Sequence, residues 1–66
     1  MTITVNGEEI EFVEGESVNG LLKRMRYNFP LIIVKVDGDI VEKKDFIKKK
    51  IHDGAEVEVI HLTSGG

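Results

Sequence analysis

Apolar and polar side chains alternate near both ends of the chain, which is the spacing of strands that bury only one face. Residues 1–13 alternate on either side of Asn6-Gly7, a dipeptide that favours a two-residue turn because both residues tolerate positive φ. Residues 55–62 begin with the same alternation after a turn signal at Asp53-Gly54, and the alternation slips at Ile60-His61-Leu62. The pattern predicts a β-hairpin at the start of the chain and a single strand near its end.

After the hairpin, the spacing changes to that of an amphipathic helix. Apolar residues occupy positions i, i+3, i+4 and i+7 of one helical stripe: Val18, Leu21, Leu22 and Met25. Ser17 precedes this stripe, and its hydroxyl can accept a hydrogen bond from a backbone N–H of the first turn. We predict one main helix over residues 18–26.

Two more strands are predicted in the second half of the chain. Residues 31–36 are rich in β-branched side chains, and Asp37-Gly38 is a turn signal after which residues 39–41 can return as a short strand. We expect Lys35 to face water. Ile33 should then point outward as well, because it lies two residues before Lys35 on the same strand.

The remaining segment, residues 42–51, fits neither period, so its secondary structure is left open. We expect its apolar residues Phe46 and Ile51 to reach the edge of the core. The resulting order is β-β-α-β-β-β, an α+β roll in which one main helix packs on one face of a mixed sheet. We expect residues 1–62 to form the domain and residues 63–66 to form a flexible tail.

The composition is that of one small domain. A chain of 66 residues buries about 60% of its unfolded surface, and without cysteine its core alone must hold the fold. The net charge of -3 argues against a nucleic-acid partner, and the lysines of residues 43–50 are interpreted as a solvated face. No apolar run approaches the roughly 18 residues of a membrane span, and no signal-peptide pattern is present. We therefore expect a cytoplasmic protein without a membrane partner.

The last four residues, Thr63-Ser64-Gly65-Gly66, are the candidate chemical feature. Two consecutive glycines add nothing to a core and resist a fixed backbone, but they present a slender carboxylate that another protein's active site can admit. Other side chains favour plainer roles. His52 and His61 lack acidic or cysteine neighbours at the spacing of metal ligands, and Ser64 has no visible base. The sequence predicts no catalytic residue and no metal site.

The order of elements, the turn dipeptides and the terminal diglycine together resemble the ThiS/MoaD family of sulfur carriers, which have the ubiquitin-like β-grasp fold. The resemblance covers the whole chain and is closest to ThiS-type carriers. Its matching residues are Asn6-Gly7, Gly15-Glu16-Ser17-Val18, Leu21-Leu22, Val36-Asp37-Gly38, Ile40-Val41, Asp53-Gly54 and Gly65-Gly66.

The resemblance implies a function in thiamine (thiazole) biosynthesis. A ThiF-like adenylyltransferase would use ATP and magnesium to adenylate Gly66, and a sulfur donor would convert the adenylate to a thiocarboxylate. A ThiG-like thiazole synthase would accept that sulfur. The carrier would bind no cofactor, catalyse nothing and be monomeric when free. Thr63, Ser64 and Gly65 would thread into the partner's active site.

Docking to such partners needs a surface on the folded body. Ile60 and Leu62 share the outward face of the last strand, and Ile33 points outward on its own strand. Exposed apolar residues of this kind often form contact surfaces. We expect these three residues to face a partner.

Other readings of the tail stay open. The same activation chemistry would serve a molybdopterin or tRNA-thiolation sulfur carrier, or a ubiquitin-like modifier that is joined to lysines through Gly66. In a different class, the chain would be a non-covalent β-grasp interaction module, and its final glycines would have no chemical role.

Overall fold

Five short strands and one helix make up most of the regular structure of residues 1–27 and 31–62, which are the residues that the computed structural model describes. The elements are β1 (Thr2–Val5), β2 (Glu8–Glu11), α1 (Val18–Arg24), β3 (Ile32–Val36), β4 (Asp39–Val41) and β5 (Glu56–His61). A 3₁₀ turn at Lys43–Asp45 lies within residues 42–51, for which the sequence predicts no secondary structure. The predicted order β-β-α-β-β-β is confirmed.

The strands form one mixed sheet in the order β2-β1-β5-β3-β4. The last strand in sequence, β5, is therefore the central one. It runs parallel to β1, with Val5 opposite Val57, and antiparallel to β3, with Val34 opposite Val59. The β1–β2 and β3–β4 pairs are antiparallel hairpins on either side of β5.

The core lies between α1 and the inner face of the sheet. The predicted helical stripe is buried there, with Val18, Leu21 and Leu22 at 6% exposure or less. They pack with the inward side chains of the strands, which are Ile3, Val5, Val34, Val36 and Val57. Residues 42–51 contribute Phe46 and Ile51 to this core, and both side chains are buried as expected.

Both hairpin turns also fasten the central strand. Asn6 and Asp37 each have positive φ (52° and 53°), and the glycine after each does too, which is the geometry of a type I′ turn. The Asn6 side-chain oxygen accepts a hydrogen bond from the Val59 N–H at 2.8 Å, and Asp37 accepts one from the Glu56 N–H at 2.9 Å. The two turn residues thus fix β5 from the β1 side and from the β3 side.

Residues 42–51, which fit neither sequence period, help to cap the first turn of α1. Ser17 accepts from the Gly20 N–H at 3.1 Å, which confirms the predicted N-cap. The carbonyls of Lys49 and Phe46 accept from the N–H groups of Val18 and Asn19, at 2.8 and 2.9 Å. Residues 42–51 therefore satisfy donors that a helix start cannot satisfy by itself.

The helix ends two residues before its predicted end, and a left-handed residue explains the difference. Arg26 has φ of 62°. Its N–H donates to the Lys23 carbonyl at 3.0 Å, and the Tyr27 N–H donates to the Leu22 carbonyl at 2.8 Å. These two bonds are the Schellman pattern, which usually has glycine at the left-handed position. Because this position holds arginine and not glycine, the sequence does not indicate that the helix ends here.

Candidate functional site

The sheet brings the predicted docking residues together at one end of its outer face, the face turned away from α1. Ile33 on β3 lies directly opposite Ile60 on β5. One step further along, the Leu62 N–H donates to the Leu31 carbonyl at 2.9 Å, which continues the same pairing. Since directly opposed residues in an antiparallel pair project to the same side, these four side chains form one aliphatic cluster.

The cluster of Leu31, Ile33, Ile60 and Leu62, called the outer aliphatic patch below, is open to solvent. Leu31, Leu62 and Ile60 are 53%, 44% and 38% exposed, and Ile33 is half-buried. The docking set predicted from the sequence omits Leu31, although the outward direction of Ile33 also places Leu31 outward. A contiguous exposed apolar surface of this kind is typical of an interaction site.

The last described residue of the chain belongs to this patch. Leu62 follows β5 directly and is the last described residue. The predicted site residues Thr63, Ser64, Gly65 and Gly66 lie outside the described residues. The structure therefore places Leu62, the residue before them, in the patch.

One side-chain pair adds a contact that the sequence interpretation of the histidines did not include. His52 does have an acidic partner, because its Nε2 lies 2.5 Å from a carboxylate oxygen of Asp37. The two residues are fifteen positions apart and meet because the turn at Asp53-Gly54 lies beside the turn at Asp37-Gly38. Spacing along the chain cannot show such a contact.

This exposed pair shifts the pKa of both partners. The hydrogen bond to Asp37 raises the pKa of His52, and the backbone carbonyl of Asp53 raises it further. The hydrogen bond from His52 lowers the pKa of Asp37, helped by the Glu56 N–H. Asp37 thus holds the start of β5 and the preceding turn at once, which is a structural role for the pair.

An ion pair between Glu16 and Arg24 connects the loop before α1 to the helix. Glu16 accepts two hydrogen bonds from Arg24, each 2.9 Å long, and Arg24 also donates to the Glu11 carbonyl at 3.0 Å. The contact ties the end of β2 and the loop before α1 to the last turn of the helix. The hydrogen bonds to Glu16 raise the pKa of Arg24.

Within residues 1–27 and 31–62, the structure contains no group of three or more histidine, cysteine or acidic side chains placed to hold a metal. No helix in the same ranges is long and apolar enough to cross a membrane. The candidate site of the described domain is thus the outer aliphatic patch with the origin of the tail.

Comparison with known proteins agrees with the fold described above. The model of the ThiS family matches residues 3–66. A crystal structure of the thiamine biosynthesis protein ThiS from Geobacter metallireducens is 28% identical, with a TM-score of 0.83, and the match covers all of both chains. A solution structure of a thiamine biosynthesis protein from the same organism has a TM-score of 0.76 at 28% identity, covering all of this chain and 88% of the other. The fold is the ubiquitin-like β-grasp.

We predict that the His52–Asp37 pair makes stability depend on pH at both ends of its range. A raised histidine pKa gives stability that is complete below about pH 6.5 and is lost as the pH rises through the folded-state pKa of His52. A lowered carboxyl pKa gives stability that is complete above about pH 3.9 and is lost as the pH falls through the folded-state pKa of Asp37. Urea midpoints measured across the pH range test this.

His52→Gln and Asp37→Asn are the matched variants. Asparagine tolerates positive φ and keeps an oxygen for the Glu56 N–H, so Asp37→Asn removes the charge without removing the turn. The deficit of both variants relative to the wild type should be largest between the two limits and should shrink as the pH rises through the folded-state pKa of His52. Three parallel pH curves would show that the pair contributes nothing.

Proposed function

The chain belongs to the ThiS family, and from that membership we propose that it is a sulfur carrier of thiamine biosynthesis that delivers sulfur as a thiocarboxylate on Gly66. The observation that carries the proposal is the position of Leu62, the last described residue. The family match extends four residues further, to Gly66, and Leu62 belongs to a solvent-exposed aliphatic patch. A partner that covers the patch receives the C-terminus at the same time.

The first step of the proposed chemistry is activation of the carboxylate. A free carboxylate resists nucleophiles because its leaving group would be oxide. A ThiF-like adenylyltransferase, using ATP and magnesium, would join the Gly66 carboxylate to AMP and release pyrophosphate. The acyl carbon would then carry a good leaving group.

The second step exchanges oxygen for sulfur. The terminal sulfur of a persulfide donor attacks the acyl carbon and expels AMP, which leaves an acyl disulfide. A thiol then attacks the donor-side sulfur, so the S–S bond breaks, the thiol and donor form a disulfide, and the thiocarboxylate is released. A ThiG-like thiazole synthase would be the acceptor of that sulfur.

The composition of the tail suits this task. Gly66 has no Cβ beside the attacked carbonyl, and Gly65 permits close approach of the backbone to the walls of a narrow channel. Four extended residues reach roughly 13 Å beyond Leu62. That reach allows an active site to be buried within the partner while the folded body stays at its surface. The carrier is a substrate of these enzymes and acts in the cytoplasm under this proposal.

The outer aliphatic patch is proposed as the docking surface for the adenylyltransferase. Binding energy in protein interfaces is concentrated in a few central, well-packed residues. Ile60 and Leu62 lie nearest the tail in sequence, and Ile33 lies directly across from Ile60. Leu31 completes the cluster across from Leu62. Together they give a partner an apolar contact at the entrance of its active site.

We predict that Gly66 gains sulfur when the full chain is incubated with ATP, magnesium, a persulfide donor, a thiol and the cognate adenylyltransferase. Intact mass spectrometry should show the replacement of one oxygen by sulfur, and fragmentation should place it at Gly66. Deletion of Gly66 should abolish the change and leave the domain folded, because the core lies within residues 1–62.

The same experiment separates the competing functions. A mass increase equal to that of a lysine-linked conjugate, on any protein in the mixture, would favour a modifier. An unchanged mass with an adenylyltransferase that activates a reference carrier would contradict the proposal. Complementation by the Gly66 deletion in a thiamine-requiring strain would contradict every covalent function of the tail.

We predict that Ile60→Ala and Leu62→Ala each weaken binding to the adenylyltransferase about tenfold, since truncation of a central interface residue costs about 1–2 kcal/mol. Ile47→Ala is the matched control, because Ile47 is 72% exposed and lies outside the sheet, just after the 3₁₀ turn. Titration calorimetry gives the affinities, and circular dichroism checks the folding. Equal affinities for all three variants would show that the patch is not part of the interface.

A further inference from the structure

The charges of this domain are divided between its segments. Residues 1–16 and 53–62 contain eight of the twelve acidic residues, five in the first range and three in the second, and none of the nine lysines and arginines. These ranges supply β1, β2 and β5, which are adjacent in the sheet. The basic residues all lie in α1, β3, the segment around the 3₁₀ turn and the turns between them.

On the outer face of the sheet, this division produces an acidic area that continues directly into the outer aliphatic patch. The outward positions of β5 are Glu56, Glu58 and Ile60, and Leu62 follows. Thr4 lies between Glu56 on one side and Glu9 on the other. Because outward positions are about 6.8 Å apart along a strand, Glu58 lies within one side-chain length of the patch.

In the described part of the domain, the carboxylates of this area take part in no salt bridge. Among the residues that the structure describes, the salt bridges are Arg24–Glu16, Lys44–Glu42 and His52–Asp37, and none involves Glu9, Glu56 or Glu58. Lys35 is directly across from Glu58 on β3, but their charged groups are not within 4.0 Å. The glutamates of β5 are exposed to solvent, so a partner can reach them.

A standard protein interface buries about 800 Å² on each partner, which is wide enough to cover the patch and the β5 glutamates together. An aliphatic patch attracts without specifying direction, whereas a charged area on one side of it fixes orientation. The glutamates lie toward the start of β5, and the tail lies beyond its end. A partner that matches both areas can therefore bind in only one direction, with its active site toward Leu62.

We propose that the partner surface that receives this carrier is a protein surface with an apolar centre and a rim of lysine or arginine side chains, and that the rim pairs with Glu56 and Glu58. This inference rests on the proposed function, since the adenylyltransferase is taken as that partner. Rim charges act mainly by steering the encounter, so they change the association rate more than the dissociation rate. Salt screens this steering, with a Debye length of about 10 Å at 0.1 M.

The test compares two double variants with equal net charge in the full chain. Glu56→Gln/Glu58→Gln removes two charges beside the patch. The control Glu8→Gln/Glu14→Gln removes two exposed charges elsewhere, since Glu8 pairs with the inward-pointing Val5 and Glu14 lies in the loop before α1. Stopped-flow binding to the adenylyltransferase at low and high salt gives the association rate of each.

We expect the β5 variant to associate about three- to tenfold more slowly than the control at low salt, with the difference vanishing near 0.5 M salt. Equal association rates for the two variants at low salt would contradict the proposal that a cationic rim of the partner pairs with Glu56 and Glu58. Intact mass at saturating carrier keeps the two proposals apart. If Gly66 still gains sulfur in both variants, the sulfur-carrier function stands whether or not the rim does.

Discussion

Strand β5 is hydrogen-bonded on both sides, and the rest of the domain depends on that position. It joins two hairpins that would otherwise be separate two-stranded units, which are marginal in water. The side chains of Asn6 and Asp37, at the turns of those hairpins, bind its backbone N–H groups directly. The register of β5 decides that Val57 is buried and that Ile60 faces solvent. It also decides where the chain leaves the sheet.

The two faces of the sheet have separate roles as a result. The inner face and α1 supply the buried core on which a domain of 66 residues without disulfides relies. The outer face does not contribute to the core, so its leucine and isoleucine side chains at one end can stay exposed. The rest of that face carries the glutamates of β2 and β5, Lys35 on β3 and the exposed Ile40 on β4. Charges on an edge strand such as β2 discourage pairing with other chains.

Local signals were enough to predict most of the fold. The alternation of residues 1–13, the helical stripe from Val18 to Met25 and the turn dipeptides each act over a few neighbours, and all were confirmed. Two missed features depend on contacts between distant segments, namely the capping of α1 by residues 42–51 and the pairing of His52 with Asp37. A third, the end of α1, is local but has an arginine at its left-handed position. For the site, alternation placed Ile33 and Ile60 outward, but only the β3–β5 register brings them together with Leu31. The predicted function of the tail rested on resemblance and stays a prediction.

We propose that the partner binds the end of the sheet at which β3 and β5 pair. Backbone amide spectra of the isotope-labelled full chain, recorded during titration with the adenylyltransferase, test this proposal most directly. We expect the largest shifts and broadening on residues 31–33 and 58–62. The amides of α1 and of residues 42–51 should change least. Perturbations concentrated on α1 or around the 3₁₀ turn, with the β3–β5 end unaffected, would contradict it.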